Sequence, residues 1–366
     1  MRVLLCGGGT AGHVNPALAI AQTILKNSPS SEIAYVTTEG GIENKLVPFR
    51  KYEIKMSGLK RKFSISNIKT LFLTIDAILK SREIIKDFKP DVIIGTGGYA
   101  CYPVIIAGHY MNVKTVVHES NAKPGKALKM LESKVDKIFV NFEQTRNCFK
   151  NKSKVIHTGN PIRESFGALD KTSAKQKLDI KEKFVILCYG GSLGAKAINE
   201  GALQLIENLI SEDANIRFIC SSGKKEYNNM YYSLKKSKLD NLKNLEFTDY
   251  IYDIADKIAC ADIVICRAGA MSISEMAYCK KCAIFIPSPN VADNHQFKNA
   301  QVLNEASAAI LLPESEMFNL TDIVKELLEN EEKRNLYSTK INEFCKKDAN
   351  KIIYNKIKEM IKEKRK

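Results

Sequence analysis

The segment Asp262–Tyr278, DIVICRAGAMSISEMAY, carries the pattern from which the fold is predicted. It opens with a run of β-branched apolar residues, passes through an Arg-Ala-Gly sequence that begins at Arg267, and continues with apolar residues at helical spacing. This pattern predicts a buried strand, a turn and then a helix.

The start of this predicted helix is a candidate site for a diphosphate. Its backbone N–H groups are unpaired within the helix, and the helix dipole favours negative charge there. Glu275 lies about one turn further on, where its carboxylate would accept two hydrogen bonds from a ribose diol. The alternative is an ordinary helix start with an acid in its first turn, and these residues alone leave both readings open.

The same strand-to-glycine unit occurs twice in the chain. The sequence VLLCGG at Val3–Gly8 is closely similar to VILCYGG at Val185–Gly191. With 366 residues and 45% hydrophobic content, the chain exceeds the usual size of a single core. We therefore predict an α/β protein with two halves that each begin with this unit.

Further apolar runs predict the remaining strands of both halves. In the first half the predicted strands are Arg2–Cys6, Asp91–Gly95, Lys114–His118, Lys137–Val140 and Lys154–His157. In the second half they are Phe184–Cys188, Ile216–Cys220, Leu245–Thr248, Asp262–Cys266 and Ala283–Ile286. The polar segment Glu164–Lys183 is the expected boundary, and the first helix is expected over Pro16–Leu25, after a glycine turn.

Two nucleotide-binding motifs match the glycine loops only in part. Gly7, Gly9 and Gly12 satisfy the dinucleotide fingerprint with Glu32 twenty residues further on, but this match alone is weak. The loop that starts at Gly190 resembles a Walker A loop, yet it lacks the final glycine and the hydroxyl that binds magnesium. We therefore reject an ATPase.

Composition limits the class of protein. No apolar run is long enough to span a bilayer, and the N-terminus is too rich in glycine for a signal peptide, so a cytoplasmic protein is expected. The ten cysteines are mostly isolated, and the one C-x-x-C pair, Cys279 and Cys282, has no partner pair. We expect reduced thiols and no zinc site.

Positive charge is concentrated in the first half. The net charge is +15, and residues 1–163 contain 25 Lys and Arg against 12 Asp and Glu. Within this half, residues 60–89 combine Lys60, Arg61, Lys62 and Lys69 with many large apolar residues. This mixture is typical of a patch that binds an anionic membrane, although a core helix with a solvated basic side is the open alternative.

Seven motifs, taken in order, resemble the MurG family of glycosyltransferases, which add N-acetylglucosamine to lipid I in peptidoglycan synthesis. They are GGGTAGHVNP, GTGGYACYP, HESN, GNPIR, YGGSLGAKAIN, CRAGAMSISE and NHQFKNA. The resemblance spans nearly the whole chain. It implies a GT-B fold, with two Rossmann-like doubly wound domains that face each other across a cleft.

The resemblance also implies the two domains and their roles. Residues 1–164 would form the acceptor and membrane-facing domain, and residues 165–348 the domain that binds the UDP-sugar. The last segment, 349–366, has a helical apolar stripe and is expected to pack back on the first domain.

By the same resemblance, Glu275 would hold the ribose, the helix start after Gly269 the diphosphate, and Gln296 and Asn121 the sugar hydroxyls. Ser192 would hold the phosphate, Ile251 would lie beside the uracil, and Arg163 would neutralise phosphate. Ala11 replaces a frequent glycine, and His295 stands where some members carry a second glutamine. The full set of implied donor-binding residues is Thr10, Ala11, Gly12, Asn121, Arg163, Ser192, Ile251, Ala270, Met271, Ser272, Glu275 and Gln296.

The implied reaction is inversion at the anomeric carbon, with the 4-hydroxyl of the muramyl sugar as nucleophile. His13 is the candidate base because imidazole titrates near neutral pH, and the alternative is that His13 orients the acceptor while Glu119 or water takes the proton. The implied acceptor-binding residues are His13, Gly97, Gly98 and Tyr99. No cofactor is required, no metal site is expected, and assistance by a divalent cation stays open.

The implied partners are UDP-N-acetylglucosamine, lipid I and the anionic inner-membrane surface, with no nucleic acid. The protein is expected to be peripheral, at the cytoplasmic face of the cell membrane. One alternative from another class is a UDP-sugar epimerase of the same fold, which needs acid and base carboxylates in place of a docking surface for a lipid. A basic nucleic-acid-binding protein would explain the charge but not the nucleotide-type strand ends of the second half.

Overall fold

The computed structural model describes residues 1–56, 65–191 and 193–364. The chain forms two compact units, Met1–Arg163 with Lys346–Lys366, and Glu164–Cys345. The first unit therefore ends one residue before the expected limit at 164, and the second unit ends three residues before the expected limit at 348.

The first unit is built on a seven-stranded parallel sheet in the order β3-β2-β1-β4-β5-β6-β7. Its strands are β1 (Arg2–Cys6), β2 (Glu32–Thr38), β3 (Arg50–Ile54), β4 (Val92–Gly95), β5 (Lys114–Glu119), β6 (Lys137–Val140) and β7 (Val155–His157). Its helices up to the boundary are α1 (Ala11–Asn27), α2 (Glu43–Leu46), α3 (Ile65–Phe88), α4 (Cys101–Tyr110) and α5 (Lys126–Leu131). All residues of β4 are buried, as expected for a parallel strand covered on both faces.

The second unit has a six-stranded parallel sheet in the order β10-β9-β8-β11-β12-β13. Its strands are β8 (Phe184–Tyr189), β9 (Ile216–Ser221), β10 (Leu245–Thr248), β11 (Ile263–Cys266), β12 (Cys282–Phe285) and β13 (Ile310–Leu311). Its helices are α6 (Lys171–Lys177), α7 (Lys196–Leu205), α8 (Tyr227–Lys236), α9 (Ile254–Cys260), α10 (Ala270–Tyr278), α11 (His295–Glu305), α12 (Leu320–Glu329) and α13 (Glu331–Glu343).

The last helix, α14 (Ala349–Lys364), belongs to the first unit. Its buried residues, among them Ile357, join the core that β1 forms with α1. The hydroxyls of Tyr354 and Ser28 lie 2.7 Å apart at the end of α1. An apolar stripe at helical spacing thus covers one face of the first sheet.

The predicted strands lie where the structure has them, and their ends differ by no more than one residue. The prediction for the first helix is wrong at its start. Thr10 has an extended backbone and is the N-cap, so α1 begins at Ala11 and not at Pro16. The glycines before His13 were predicted to form a turn, but Gly12 already belongs to the helix. His13 therefore lies in the first turn of α1.

The structure agrees with the judgement that the dinucleotide match of the first glycine loop is weak. That fingerprint needs an acid near the carboxyl end of the second strand. Glu32 instead begins β2, and its carboxylate pairs with the guanidinium of Arg2, 3.1 Å away. Both residues lie at the amino-terminal ends of their strands, opposite to the glycine loop.

Candidate functional site

Strand order reverses once in each sheet, and this reversal marks a ligand site. In the first sheet β1 lies between β2 and β4, and in the second β8 lies between β9 and β11. Ligands of open parallel sheets bind beyond the carboxyl ends of the strands at such a switch point. The glycine loops after β1, β4 and β8 and the turn after β11 lie at these points.

His13 is fixed by the glycine loop that precedes it. Its Nδ1 lies 2.9 Å from the carbonyl oxygen of Gly8 and 3.3 Å from the hydroxyl of Thr10. A carbonyl oxygen only accepts hydrogen bonds, so Nδ1 carries the proton in the neutral ring. The lone pair that can take a proton is therefore on Nε2.

The loop after β4 lies directly against this histidine. A Cβ at Gly97 would lie 2.5 Å from the imidazole Cδ2, and a Cβ at Gly98 would overlap the carbonyl oxygen of Gly8. Gly98 also has a φ of +81°, which disfavours other residues. The Tyr99 ring lies beside Gly9. The structure thus brings together four predicted residues, His13, Gly97, Gly98 and Tyr99.

Glu119 ends β5 and is committed to its own loop. One carboxylate oxygen accepts hydrogen bonds from the backbone and side-chain nitrogens of Asn121, each 2.9 Å away, and the other accepts from the backbone N–H of Gly125 at 3.0 Å. Burial raises the pKa of Glu119, while these hydrogen bonds work against that effect. The side chain therefore shapes the loop that carries Asn121.

His118, which precedes Glu119, is fully buried. Its Nε2 donates to the carbonyl oxygen of Gly159 over 3.1 Å. Burial lowers the pKa of His118 to about 4, so the ring is neutral at neutral pH. It thereby joins the ends of β5 and β7, the latter leading to Arg163.

Arg163 lies at the end of a backbone segment that α14 fixes. The side chain of Asn350 accepts from the N–H of Ile162 at 2.9 Å and donates to its carbonyl oxygen at 2.8 Å. The half-buried Arg163 follows directly. The C-terminal helix thus positions a predicted donor-binding residue.

Sequence reasoning missed Glu43, which lies behind the glycine loop. Its side chain is fully buried. One oxygen accepts from the hydroxyl and the N–H of Thr38, at 2.6 and 3.0 Å, and the other from the N–H of Gly9 at 3.4 Å. The sequence pattern that could have indicated Glu43 is an acidic residue shortly after Gly40-Gly41 and close to the end of a strand. No strand or helix was predicted in this segment.

In the second unit, the loop after β8 is built by close backbone approach. Gly194 has a φ of +79°, and a Cβ there would overlap the carbonyl oxygen of Ser222. Leu193 is exposed. Ser192, the predicted phosphate-binding residue of this loop, lies outside the described residues. Ile251, predicted to lie beside the uracil, is buried in the segment after β10.

The segment Asp262–Tyr278 forms the expected strand, turn and helix. Gly269 is the N-cap of α10. Glycine has no side chain that could accept a hydrogen bond from the first N–H groups of the helix. Ala270 and Met271 are buried and Ser272 is half-buried. This geometry suits an anion.

Glu275 is buried near the ends of β8 and β11. Burial raises the pKa of Tyr189 well above its usual range, and the neighbouring thiol of Cys266 and carboxylate of Glu275 raise it further. Tyr189 and Cys266 are paired at the carboxyl ends of the two strands. The acid thus lies at the switch point of the second sheet.

Gln296 is anchored in the first turn of α11. Its side-chain oxygen accepts from the N–H of Ser288, 2.8 Å away in the loop after β12. Asp293 and Asn294 just before it are both left-handed, with φ of 51° and 52°. The loop is therefore shaped to present the start of α11 beside the end of β12.

The cysteines and acids offer no evident metal site. Among residues 1–56, 65–191 and 193–364, no group of three or more His, Cys, Asp or Glu side chains could hold a metal ion. Cys279 and Cys282 carry free thiols. In the same residues, no helix has the length and apolar content needed to cross a membrane.

Comparison with known proteins places both units in one family. Residues 3–140 match the glycosyltransferase family 28 N-terminal domain, and residues 185–353 match the family 28 C-terminal domain. A relative from Acetivibrio thermocellus is 38% identical over 100% of this chain and 99% of its own length. One from Bacillus pumilus is 35% identical over 98% and 99%. Both are named UDP-N-acetylglucosamine--N-acetylmuramyl-(pentapeptide) pyrophosphoryl-undecaprenol N-acetylglucosamine transferase.

Solved structures agree with this placement. MurG from Acinetobacter baumannii has a TM-score of 0.75 and 26% identity, covering 98% of this chain and 99% of its own. A UDP-GlcNAc 2-epimerase from Neisseria meningitidis has a TM-score of 0.68 at 16% identity, covering 97% and 99%, and this likeness shows the fold alone. The predicted GT-B fold class with two Rossmann-like domains is confirmed. The chain belongs to the MurG family of family 28 glycosyltransferases.

Proposed function

We propose that this protein transfers N-acetylglucosamine from UDP-N-acetylglucosamine to the 4-hydroxyl of the muramyl sugar of lipid I. The observation that carries the proposal is 38% identity, over the whole chain, to a transferase named for this reaction. The product would be lipid II, formed with inversion at the anomeric carbon.

The second unit is the proposed donor-binding unit. The start of α10, at Ala270–Ser272, suits the diphosphate, because helix N-termini bind anions through backbone N–H groups. Glu275 lies within the same helix at the switch point and is proposed for the ribose diol. Ser192, Ile251 and Gln296 are assigned to phosphate, uracil and sugar by the sequence resemblance.

His13 is the proposed base, in preference to Glu119. The Gly8 carbonyl holds the proton on Nδ1, so Nε2 is the atom that would take the proton of the attacking hydroxyl. Both oxygens of Glu119 already accept hydrogen bonds from its own loop. The neighbouring Gly97, Gly98 and Tyr99 are proposed to contact the acceptor.

The reaction would proceed without a covalent enzyme intermediate. The acceptor oxygen bonds to the anomeric carbon as the bond to the UDP oxygen breaks, through a transition state with oxocarbenium character. The proton of the hydroxyl passes to His13 Nε2. The negative charge that develops on the leaving UDP would be stabilised by the α10 N-terminus and Arg163. We therefore propose that no cofactor is required. Transfer that continues in the presence of a metal chelator is the expected result.

Helix α3 is proposed to dock the protein on the anionic cytoplasmic face of the membrane. Phe72, Ile75 and Leu79 are 68%, 50% and 53% exposed and share one helix face. The opposite face, which includes Ala77 and Phe88, packs in the core. A helix that exposes large apolar side chains on its second face suits a membrane surface.

The basic residues that precede this stripe strengthen the proposal by charge. Lys60, Arg61 and Lys62 lie outside the described residues, as does the side chain of Lys69. Each basic residue near an anionic surface adds about 1 kcal/mol.

Radiolabel transfer tests the proposed activity. With labelled UDP-N-acetylglucosamine, we expect label in the lipid fraction only when lipid I is present, and none from UDP-N-acetylgalactosamine. Incubation with the donor alone tests the epimerase alternative. Formation of an epimeric UDP-sugar with no transfer to lipid I would favour that alternative and refute the proposal.

A further inference from the structure

We infer that Glu43 is a positioning residue for His13 and acts on it through a single peptide unit. The inference rests on the proposed function only in giving His13 a role as base. The link itself is a matter of hydrogen bonds in the first unit.

The peptide between Gly8 and Gly9 connects the two side chains. Its N–H end, on Gly9, donates to a carboxylate oxygen of Glu43 over 3.4 Å. Its C=O end, on Gly8, accepts from His13 Nδ1 over 2.9 Å. Carboxylate, peptide and imidazole therefore form one chain of hydrogen bonds.

Such a chain has a defined electrostatic effect. A negative charge at the N–H end polarises the peptide and makes its carbonyl oxygen a stronger acceptor. A stronger acceptor at Nδ1–H holds the proton on that nitrogen and stabilises the protonated ring, as carboxylate partners do for histidine ligands of metals. Glu43 should therefore raise the proton affinity of Nε2 without touching His13.

The carboxylate is built into this position. A Cβ at Gly8 would lie 2.6 Å from a Glu43 oxygen, and a Cβ at Gly41 would overlap the same atom. Only glycine at these two places lets the acid approach the loop so closely. The carboxylate is further held by two hydrogen bonds from Thr38.

The charges around the loop fit an ionised Glu43. Burial acts to raise the pKa of Glu43, but hydrogen bonds from Thr38 and the backbone outweigh it, and the pKa is lowered. Nearby, burial raises the pKa of Tyr35, whose hydroxyl donates to Gly7 at 2.7 Å. A hydrogen bond with the thiol of Cys101 raises the pKa of Cys6, so Tyr35 and Cys6 are neutral near neutral pH.

Nitrogen NMR of the protein labelled with ¹⁵N-histidine tests the inference. The chain has five histidines, and a His13→Asn variant assigns the resonances of His13. In the parent protein we expect the neutral ring to carry its proton on Nδ1. In Glu43→Gln we expect the pKa of His13 to fall by about one pH unit, a tenfold loss of proton affinity, at the low end of the effect of removing a hydrogen-bond partner that acts through another group.

Glu39→Gln is the matched control, because Glu39 is an exposed acid of the same segment that pairs with Lys55 over 3.6 Å. It should leave both the tautomer and the pKa of His13 unchanged. An unchanged pKa of His13 in folded Glu43→Gln would overturn the inference. If that variant does not fold, the tautomer of His13 in the parent protein is the test. A neutral His13 that carries its proton on Nε2 would also overturn the inference.

The pH profile of transfer separates this inference from the proposed function. Where transfer to lipid I is observed, Glu43→Gln should move the acidic limb of the pH–rate profile to lower pH by about one unit. In Glu43→Asp the limb should lie between those of the parent and of Glu43→Gln. Absence of transfer in the parent would refute the proposed function and leave the NMR result standing.

Discussion

At His13, the tautomer set by the Gly8 carbonyl makes Nε2 the atom that would take the proton in the proposed role as base. We expect His13→Ala to lower the rate by about a hundredfold or more, the usual scale for loss of a general base. His13→Asn is sharper, because Asn keeps a hydrogen-bonding group but does not take a proton at neutral pH. Steady-state rates across pH measure both variants.

His109→Asn provides a control within the same unit, since His109 lies in the last turn of α4. It should keep the parent rate. If His13→Asn keeps most of its turnover with an unchanged pH profile, His13 only positions the acceptor and the proton goes to Glu119 or to water.

Glu275 gives the corresponding test of the donor site. We expect Glu275→Ala to weaken binding of the UDP-sugar by roughly 2 kcal/mol, or about thirtyfold, because two charge-assisted hydrogen bonds to the ribose are lost. Calorimetric titration measures this, with the exposed Glu329→Ala as control. Donor affinity equal to that of the parent would remove Glu275 from the site.

His118 makes stability depend on pH. Its pKa is about 4 in the folded protein against about 6.5 in an unfolded chain. As pH falls through 6.5 the unfolded state gains a proton that the folded state does not, so stability is lost between these values, by about 3 kcal/mol at the lower end.

The variant His118→Gln isolates this effect, because an amide can still donate to Gly159 but does not titrate. Urea unfolding of parent and variant is compared at neutral pH and near the folded-state pKa of His118. We expect the parent to lose about 3 kcal/mol relative to the variant. Equal losses would show that His118 is not the source.

Among the elements, α3 carries the test of membrane docking. Burying a Phe or Leu side chain gains ~1.5–3 kcal/mol, so replacing both Phe72 and Leu79 by Ser should weaken binding to anionic vesicles by about tenfold or more. A soluble acceptor analogue should still be turned over. Vesicle sedimentation measures the binding.

Phe318→Ser is the control, since Phe318 is 74% exposed and belongs to the second unit. A second arm replaces Lys60, Arg61, Lys62 and Lys69 by Glu, which should lower binding and make what remains less sensitive to salt. Parent-like vesicle binding by the α3 double variant would mean that its exposed stripe faces only water.

The elements also show what sequence patterns can and cannot reveal. Continuous apolar runs predicted β4 and β11 because both faces of a central parallel strand are buried. Edge strand β3 was not predicted, since its exposed residues Arg50, Lys51 and Glu53 are charged and leave no apolar run. The start of α1 was misplaced because glycine in a helix and glycine in a turn look alike in sequence.

The candidate site, like the fold, was predictable only where the signal is local in the sequence. Glycine loops and a helix start revealed His13 and Glu275, since these features are local in the chain. Glu43 was not found, because its role depends on a contact with Gly9 across 34 positions, formed only when β2 packs beside β1. Hydrogen bonds that close a loop from behind leave no periodic signal.

For the whole molecule, one strand order is used twice. Each sheet places a glycine loop at its switch point, and the chain returns through α14 to complete the first unit. The first unit carries the excess of basic residues, and the second contains slightly more acidic than basic residues. This division fits a first unit that meets a lipid-linked acceptor and a second that holds a nucleotide sugar.

The configuration of the new sugar linkage in the product distinguishes inverting transfer from the alternative reactions. UDP-N-acetylglucosamine carries its sugar in the α configuration, and direct attack by the acceptor hydroxyl, with His13 as the proposed base, would invert it. NMR of the purified lipid product should show a single new β linkage to the 4-hydroxyl of the muramyl sugar, formed only when lipid I is present. An α linkage, or an epimeric UDP-sugar as the only product, would rule out inverting transfer to lipid I.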